Sequence, residues 1–188
     1  MVIPSCVEPD TYLRKNSYAL GKTPRAVWIG SPATERYLVD LTPPLIALNR
    51  RWGMRVDVIS AGDQDLGALG SIVDRKPWGL DTFAADLSAA DFGLMPLPDD
   101  PFTRGKCSYK LLQYAATGLP LVGSPVGANL QALQRLGGAS PRENEWYEAI
   151  ESLIGATRTQ RQEMGDQARA SVETHYTTAS LPGPTSGR

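Results

Sequence analysis

Residues 91–129 carry the pattern that most constrains the fold of this chain, because they place a helix between two strands. The apolar run Phe92–Leu97 ends in the loop Pro98–Pro101, which is typical of a strand buried on both faces. A run of leucines and alanines at helical spacing follows, and Gly118 ends it. Leu119–Val126 then resumes as a strand. Strands joined by a helix in this way lie parallel, so the sequence predicts a βαβ unit.

The N-terminus of the predicted helix is suited to an anion. In a βαβ unit it lies at the carboxyl edge of the sheet, where open α/β folds bind ligands. Its first amide groups have no partner within the helix, and Ser108 can cap them. A close-approach glycine and three cationic residues surround the same point: Arg104, Gly105, Lys106 and Lys110. The sequence therefore predicts a phosphate-type site here.

Strands and helices alternate through the rest of the chain. Further strands are predicted at Ala26–Ile29 and Val56–Ser60, with a weak one at Ser71–Asp74. Helices are predicted at residues 34–41 (capped by Thr34), 42–51 (capped by Thr42), 82–89, 130–136, 145–154 and 157–176. This alternation predicts an α/β, Rossmann-like fold, in which helices cover both faces of a parallel sheet.

The length suits one domain. Its 188 residues are enough for a single large core, and we place the domain at residues 24–176. Residues 1–23 have short apolar patches without a sustained period, which indicates a hinge or linker. Residues 177–188, TTASLPGPTSGR, have the composition of a flexible tail.

Composition excludes several functional classes. The 19 Lys+Arg residues balance 20 Asp+Glu residues, so we expect no nucleic-acid-binding surface. Two cysteines far apart in the sequence, Cys6 and Cys107, favour reduced thiols in a cytoplasmic protein over a disulfide framework or a zinc site. No apolar run approaches the roughly 20 residues that span a bilayer, and the N-terminus has no export signal.

The run GKCSYKLLQYAATGLPLVGSPVG, from Gly105 to Gly127, resembles the nucleotide-sugar-binding domain of family-4 glycosyltransferases of GT-B fold. The resemblance extends more weakly across most of the chain, from IPSCVEPD through WIGSPATERYL to the C-terminal helices. The sequence departs from the family in one respect. Family members usually carry two glutamates eight positions apart, and Gly105 and Gln113 stand at the matching positions here.

The resemblance implies the donor-binding half of a hexosyltransferase-like enzyme that uses a nucleoside diphosphate sugar such as a UDP-sugar, with retention at the anomeric carbon. It implies an upstream acceptor-binding domain as a partner. It implies no cofactor beyond the donor and no protein-bound metal. It is also compatible with peripheral membrane association of the full enzyme. It also implies that this half-enzyme is inactive alone. The expected nucleotide-sugar-binding residues are Gly30, Ser31, Arg36, Gly105, Lys106, Cys107, Ser108, Tyr109, Lys110 and Gln113. No catalytic residue is assigned.

Several of these assignments have a plainer alternative. Arg36 could be a solvated residue of a strand-to-helix turn, and Gln113 could be an exposed helix residue in place of a ribose ligand. Lys106 and Lys110 could belong to a solvated basic loop opposite Asp99 and Asp100. For the whole chain, the alternative is a non-catalytic nucleotide- or partner-binding α/β module, which the two absent glutamates favour.

Other residue types favour structural roles. Asp99 and Asp100 are neighbours in a proline-bounded loop, where turn formation is commoner than metal binding or catalysis. Cys107 and His175, the single histidine, lack the partners that nucleophilic catalysis needs. Trp78 is expected to pack, near a rim where a base could stack.

Overall fold

The computed structural model describes residues 5–180 and contains one parallel five-stranded sheet. The strands are β1 (Arg25–Ile29), β2 (Arg55–Ser60), β3 (Val73–Pro77), β4 (Phe92–Met95) and β5 (Leu121–Gly123). Their order across the sheet is β3-β2-β1-β4-β5, and each neighbouring pair is parallel. This is the predicted Rossmann-like arrangement, which the structure confirms.

The described chain also contains seven α-helices and several 3-10 turns, and the last three helices follow β5. The helices are α1 (Thr42–Trp52), α2 (Phe83–Ala89), α3 (Pro101–Arg104), α4 (Tyr109–Thr117), α5 (Ala128–Leu136), α6 (Trp146–Gly155) and α7 (Arg158–His175). Longer 3-10 helices run over Pro32–Leu41 and Gly67–Ile72.

Helices cover both faces of the sheet because successive strand side chains point to opposite sides. On one face, Val27 and Ile29 pack with buried residues of α2, α4, α5 and α7. On the other face, Ala26 and Trp28 pack with α1, α6 and the 3-10 helix Pro32–Leu41. The two cores meet only through the sheet, as expected for strands buried on both sides.

The structure shifts several predicted elements. The helix predicted from Thr34 is the 3-10 helix Pro32–Leu41, since Pro32 sets its start one turn earlier and Ser31 precedes it. The weak strand predicted at Ser71–Asp74 begins two residues later as β3, after a 3-10 helix. The loop after β4 contains the short helix α3, which was not predicted because four residues carry no periodicity.

The strands on either side of α4 are shorter than predicted. β4 ends at Met95 and β5 covers only Leu121–Gly123. The apolar residues beyond them, including Leu97 and Val126, are buried in the core without joining the sheet. The predicted strands were too long because these flanking residues are apolar, and apolar residues can be buried without pairing in the sheet.

Two buried arginines of α7 hold the segment 5–23 against the domain. Arg161 donates to the Tyr18 carbonyl at 3.1 Å, and Arg169 donates to the carbonyls of Pro9 and Ala116. The Lys15 amide also donates to the Thr117 carbonyl at 2.8 Å. The predicted linker thus lacks long regular elements, yet it is packed against the domain.

The predicted tail begins inside the described residues and continues outside them. Residues 178–180 form a single 3-10 turn, and residues 181–188 lie outside the described part of the chain, as do residues 1–4 of the predicted hinge.

Tyr114 of α4 joins the two central strands where their own pairing stops. β1 and β4 pair only at Ala26 with Phe92 and at Val27 with Gly93. Beyond that point the Tyr114 hydroxyl accepts from the Ile29 amide at 3.2 Å and donates to the Leu94 carbonyl at 2.9 Å. Gly93 makes room for the ring, because a Cβ there would lie 2.4 Å from it.

We expect Tyr114→Phe to lower the free energy of unfolding by about 1–3 kcal/mol, because it leaves a buried amide and a buried carbonyl unpaired. Urea unfolding measures this loss. Tyr147→Phe is the matched control, since the Tyr147 hydroxyl bonds Glu151 in a partly exposed position where water can replace the lost bond, and it should change stability by no more than about 0.5 kcal/mol. Equal losses in the two variants would contradict a special role for Tyr114.

Candidate functional site

A cleft of about 750 Å³ opens at the carboxyl edge of the sheet, beyond the ends of β1 and β4. The connection that follows β1 packs on one face of the sheet, and the connection that follows β4 packs on the other. The cleft therefore lies at the topological switch point, between the ends of these two strands. Open α/β sheets bind ligands at this position. We call it the β1/β4 cleft.

The β1/β4 cleft brings together most of the residues predicted from the sequence. Eight of the ten line it: Gly30, Ser31, Gly105, Lys106, Cys107, Tyr109, Lys110 and Gln113. Arg36 and Ser108 do not. The remaining wall comes from residues that were not assigned to the site: Thr11, Tyr12, Ile29, Pro32, Ala61, Trp78, Leu80, Phe83 and Met95.

The N-terminus of α4 lies beside Lys106 and Lys110. No side chain caps its first amide groups. The first amides of a helix have no partner one turn back. Ser108 was predicted to supply a cap, but its side chain makes no capping hydrogen bond. Its hydroxyl is buried without a partner, and Ser108 borders an adjoining cavity of about 370 Å³ on the α5 side. The capping prediction is wrong, and the backbone of Ser108 (φ −3°, ψ 23°) lies outside the extended conformation that is typical of an N-cap residue.

Lys110 lies across the end of β1. Its Nζ is 5.2 Å from the centre of the Trp28 ring, a distance typical of a cation–π contact. Gly30 permits this position, since a Cβ there would lie 2.6 Å from Lys110 Cε and from the Trp28 ring. Burial is the main cause that lowers the pKa of Lys110 to about 8, and the neighbouring Lys106 lowers it further.

Lys106 and Arg36 approach the same aromatic ring. Lys106 Nζ lies 5.1 Å from the Tyr37 ring centre and 5.0 Å from that of Phe102, while the Arg36 guanidinium lies 5.3 Å from the Tyr37 ring centre. Within residues 5–180, no carboxylate oxygen lies within 4.0 Å of Arg36, Lys106 or Lys110. Asp100 nevertheless interacts with Arg36 through space, since the charge of Arg36 helps to lower the pKa of Asp100. The positive charge without a carboxylate partner at this end of the cleft is therefore that of the two lysines.

The two aspartates of the loop have structural partners. Asp99 pairs with Arg104 at 2.7 Å, which removes that arginine from the set of unpaired cations. Asp100 caps α3, because its carboxylate accepts from the Thr103 amide at 2.8 Å. Their pKa values lie below the ordinary range, through the hydrogen bonds from Arg104 and from the Thr103 amide respectively.

Aromatic side chains form another part of the cleft wall. The rings of Trp78 and Phe83 are nearly parallel, with centres 6.3 Å apart, and Tyr12 meets Phe83 edge-on at 5.7 Å. Trp78 lines the cleft and is 49% exposed. Trp78 was expected near a rim, whereas Tyr12 and Phe83 were not assigned from the sequence, because they lie far apart in it and carry no motif.

The remaining residues considered for catalysis or metal binding either lie outside the cleft or lack partner side chains. His175 is the last residue of α7 and does not line the β1/β4 cleft. Cys107 is exposed at the cleft. In the described residues, no cluster of three or more His, Cys, Asp and Glu side chains could hold a metal ion. No described helix is long and apolar enough to cross a membrane.

A smaller, mostly apolar cavity lies far from the cleft chemistry. It measures about 240 Å³ and is formed by α5, α6 and α7, with Leu136, Ala149 and Met164 in its wall. No charged side chain lines it.

Comparison with known proteins identifies the fold. No protein-family model matches this sequence, and no curated protein matches it in sequence. Solved structures do match. The C-terminal domain of LpcC, a glycosyl transferase group 1 family protein from Francisella tularensis, superposes with a TM-score of 0.67 at 12% identity, over 92% of this chain and 99% of that one.

Longer glycosyltransferases contain the same domain. WaaG, a glycosyltransferase of lipopolysaccharide biosynthesis, matches with a TM-score of 0.71 at 17% identity, over 93% of this chain and 52% of its own. Sucrose-phosphate synthase from Thermosynechococcus elongatus matches at 0.65 and 14% identity, over 95% and 49%. The chain thus has the fold of the C-terminal half of GT-B glycosyltransferases, and it spans about half the length of these two proteins.

We expect the stability contribution of Lys110 to depend on pH. Its pKa is about 8 in the folded state and 10.5 in its ordinary state. Between these values the unfolded chain binds more protons than the folded chain, so the free energy of unfolding rises with pH. Below about pH 8 both states hold the proton, and the cost of burying the charge is fully present.

Urea unfolding of the wild type and of Lys110→Met across pH 7–10.5 tests this expectation. The difference in unfolding free energy, wild type minus variant, should increase between about pH 8 and pH 10.5. A difference that stays constant over this interval would contradict the buried position of the ammonium group.

Proposed function

We propose that this chain binds the diphosphate of a nucleoside diphosphate sugar in the β1/β4 cleft and serves as the donor-binding domain of a glycosyltransferase. One observation carries the proposal. Two lysines flank a helix N-terminus at the switch point of the sheet, and no described carboxylate neutralises them. Uncapped amides and unpaired cations form an anion site, since both the helix dipole and the lysines favour negative charge.

The diphosphate fits the α4 end of the cleft. The amides of Tyr109 and Lys110 would donate to its oxygens, and Gly105 lets the backbone approach closely. Lys106 and Lys110 would contribute charge. Arg36 lies outside the cleft lining, against the Tyr37 ring, and its charge would act on the diphosphate through space. In the proposed site Ser108 makes no contact through its side chain.

The nucleoside fits the remainder of the cleft. A base would stack on the exposed ring of Trp78, and Gln113, which also lines the cleft, would bond the ribose hydroxyls. The site suits a nucleotide because an aromatic wall and a cationic end share one cavity of about 750 Å³. One matching structure, TarM from S. aureus, was solved with UDP at a TM-score of 0.63 and 11% identity.

In sugar transfer this site would stabilise the leaving group. Negative charge grows on the diphosphate as the bond to the anomeric carbon breaks, and prearranged amides and lysines lower the barrier by stabilising that charge. The resemblance to retaining enzymes extends the proposal to retention of configuration. The acceptor would be supplied by an upstream domain, as the two-domain length of WaaG suggests.

A non-catalytic nucleotide-binding role is the second candidate. It is favoured by Gly105, which offers no side chain at the cleft, and by Gln113, which offers an amide in place of a carboxylate. Both candidates require nucleotide binding. Sugar transfer by a protein that also contains the acceptor domain separates them.

Calorimetry with UDP, GDP and ADP tests donor binding. Wild type should bind at least one of them, and Lys106→Ala should weaken that binding by about 1.5–3 kcal/mol, the range for a hydrogen bond to a charged group. Arg36→Ala should cost less, because Arg36 does not line the cleft. Lys22→Ala is the charge-matched control, since Lys22 is exposed near the start of β1.

Two results would contradict the donor site. One is a wild-type chain that binds none of the three nucleotides at millimolar concentration. The other is an equal loss in the Lys106 and Lys22 variants, which would mean that general charge, and no local contact, governs the affinity.

We further expect binding without sugar transfer by these 188 residues alone. Positioning of two reactants is worth about 7–11 kcal/mol of the barrier, and a donor domain alone cannot position an acceptor. Radiolabelled donors assay the chain alone and the chain joined to an upstream acceptor domain. Equal turnover by the two forms would contradict this expectation and would place the acceptor site within this chain.

A further inference from the structure

The side chain of Lys110 crosses the carboxyl end of the sheet from one face to the other. It starts on α4, whose buried residues pack with Val27 and Ile29 on the first face. Its ammonium group ends over the ring of Trp28, which is buried in the core of the second face. The crossing point is the end of β1, because Lys110 Cε and the nearest ring atom of Trp28 would each lie 2.6 Å from a Cβ at Gly30.

Tyr114 enters the same region one turn later along α4. Residues four apart lie on the same side of a helix, so Lys110 and Tyr114 both point toward the gap between β1 and β4. A glycine makes room for each of them, Gly93 for the Tyr114 ring and Gly30 for the Lys110 stem. Since the two hydrogen bonds of Tyr114 fix α4 against both strands, they also fix the point from which the Lys110 side chain starts.

The ring of Trp28 determines where this side chain ends. Lys110 Nζ lies 5.2 Å from the ring centre, and within residues 5–180 the ammonium group makes no hydrogen bond or ion pair. Trp28 is 1% exposed, so its ring is immobilised by the core around it. The face of an aromatic ring attracts a cation without neutralising it. The ring therefore orders the end of a flexible side chain and leaves its charge to the cleft.

We propose that Trp28 is a positioning residue for anion binding, whose ring holds the Lys110 ammonium group at the β1/β4 cleft, where it contacts the diphosphate. This inference rests on the proposed nucleotide site. It gives the buried Trp28 a function beyond packing, since an aliphatic side chain could fill the core but could not hold a cation. It also explains the glycine at position 30, which leaves the space that the Lys110 stem needs.

Calorimetric titrations of Trp28→Leu and Trp28→Phe with pyrophosphate test the role of the ring. Both substitutions remove part of the indole volume, but only phenylalanine keeps an aromatic face. Trp28→Leu should weaken pyrophosphate binding by about twofold to tenfold, the effect of having to order one long side chain on binding. Trp28→Phe should retain most of the wild-type affinity. The same pattern is expected with whichever of UDP, GDP and ADP binds the wild type, since each carries a diphosphate.

Gly30→Ala tests the same position and removes no core side chain. The added Cβ would collide with Lys110 Cε, so this variant should displace the lysine and weaken pyrophosphate binding by a similar factor. It decides the question if Trp28→Leu does not fold.

A Lys110→Ala background distinguishes positioning from general damage to the cleft. When Lys110 is absent, neither Trp28→Leu nor Gly30→Ala should weaken pyrophosphate binding further, because both act through the same ammonium group. A purely structural role of Trp28 would lower the affinity by the same factor with and without Lys110.

Three outcomes would overturn the inference while the nucleotide site stands. They are an unchanged pyrophosphate affinity in both Trp28→Leu and Gly30→Ala, equal losses in Trp28→Leu and Trp28→Phe, and losses that persist in full in the Lys110→Ala background. A wild-type chain that binds neither pyrophosphate nor any of the three nucleotides would overturn both this inference and the proposed function.

Discussion

The hydroxyl of Tyr114 is the interaction on which the candidate site depends. β1 and β4 must stay in one sheet and yet separate at their carboxyl ends, because a ligand cleft forms only where neighbouring strands part. Tyr114 meets both demands by bonding the Ile29 amide and the Leu94 carbonyl in the gap. Since Tyr114 belongs to α4, the same contact fixes the helix whose N-terminus faces the cleft. This arrangement requires glycine at position 93, because any side chain there would collide with the Tyr114 ring.

The partners of its cations distinguish the cleft from the strands of the sheet. The cations within the strands have carboxylate partners: Arg55 pairs with Asp74, and Arg75 pairs with the buried Glu35. At the cleft, Lys106 and Lys110 face aromatic rings. An aromatic ring partly compensates a desolvated ammonium without cancelling its charge. The lysines are thereby held near α4 and remain available to an anion. Burial of the Lys110 ammonium group is unfavourable, and it lowers the pKa of Lys110.

Local sequence signals predicted the fold and many of the residues that line the β1/β4 cleft. The apolar run at β4, the helical spacing in α4 and the stop at Gly118 specify a βαβ unit, and the unit places Lys106 and Lys110 at the carboxyl edge. Contacts between distant segments could not be predicted in this way. Tyr12 precedes β1 and Phe83 follows β3, and only the folded chain brings them together. Ser108 does not cap α4, because its backbone does not adopt the extended conformation of an N-cap residue, and the residue type alone does not specify that conformation.

We propose that a nucleoside diphosphate binds between the ends of β1 and β4 against the first turn of α4. Amide chemical shifts of the nitrogen-15-labelled chain, followed during titration with UDP, GDP and ADP, report directly on this position. We expect the largest changes at the amides of Gly30 and of Tyr109, Lys110 and Leu111. This proposal would be contradicted by changes confined to the apolar cavity between α5, α6 and α7, or by saturable binding that leaves the first turn of α4 unperturbed.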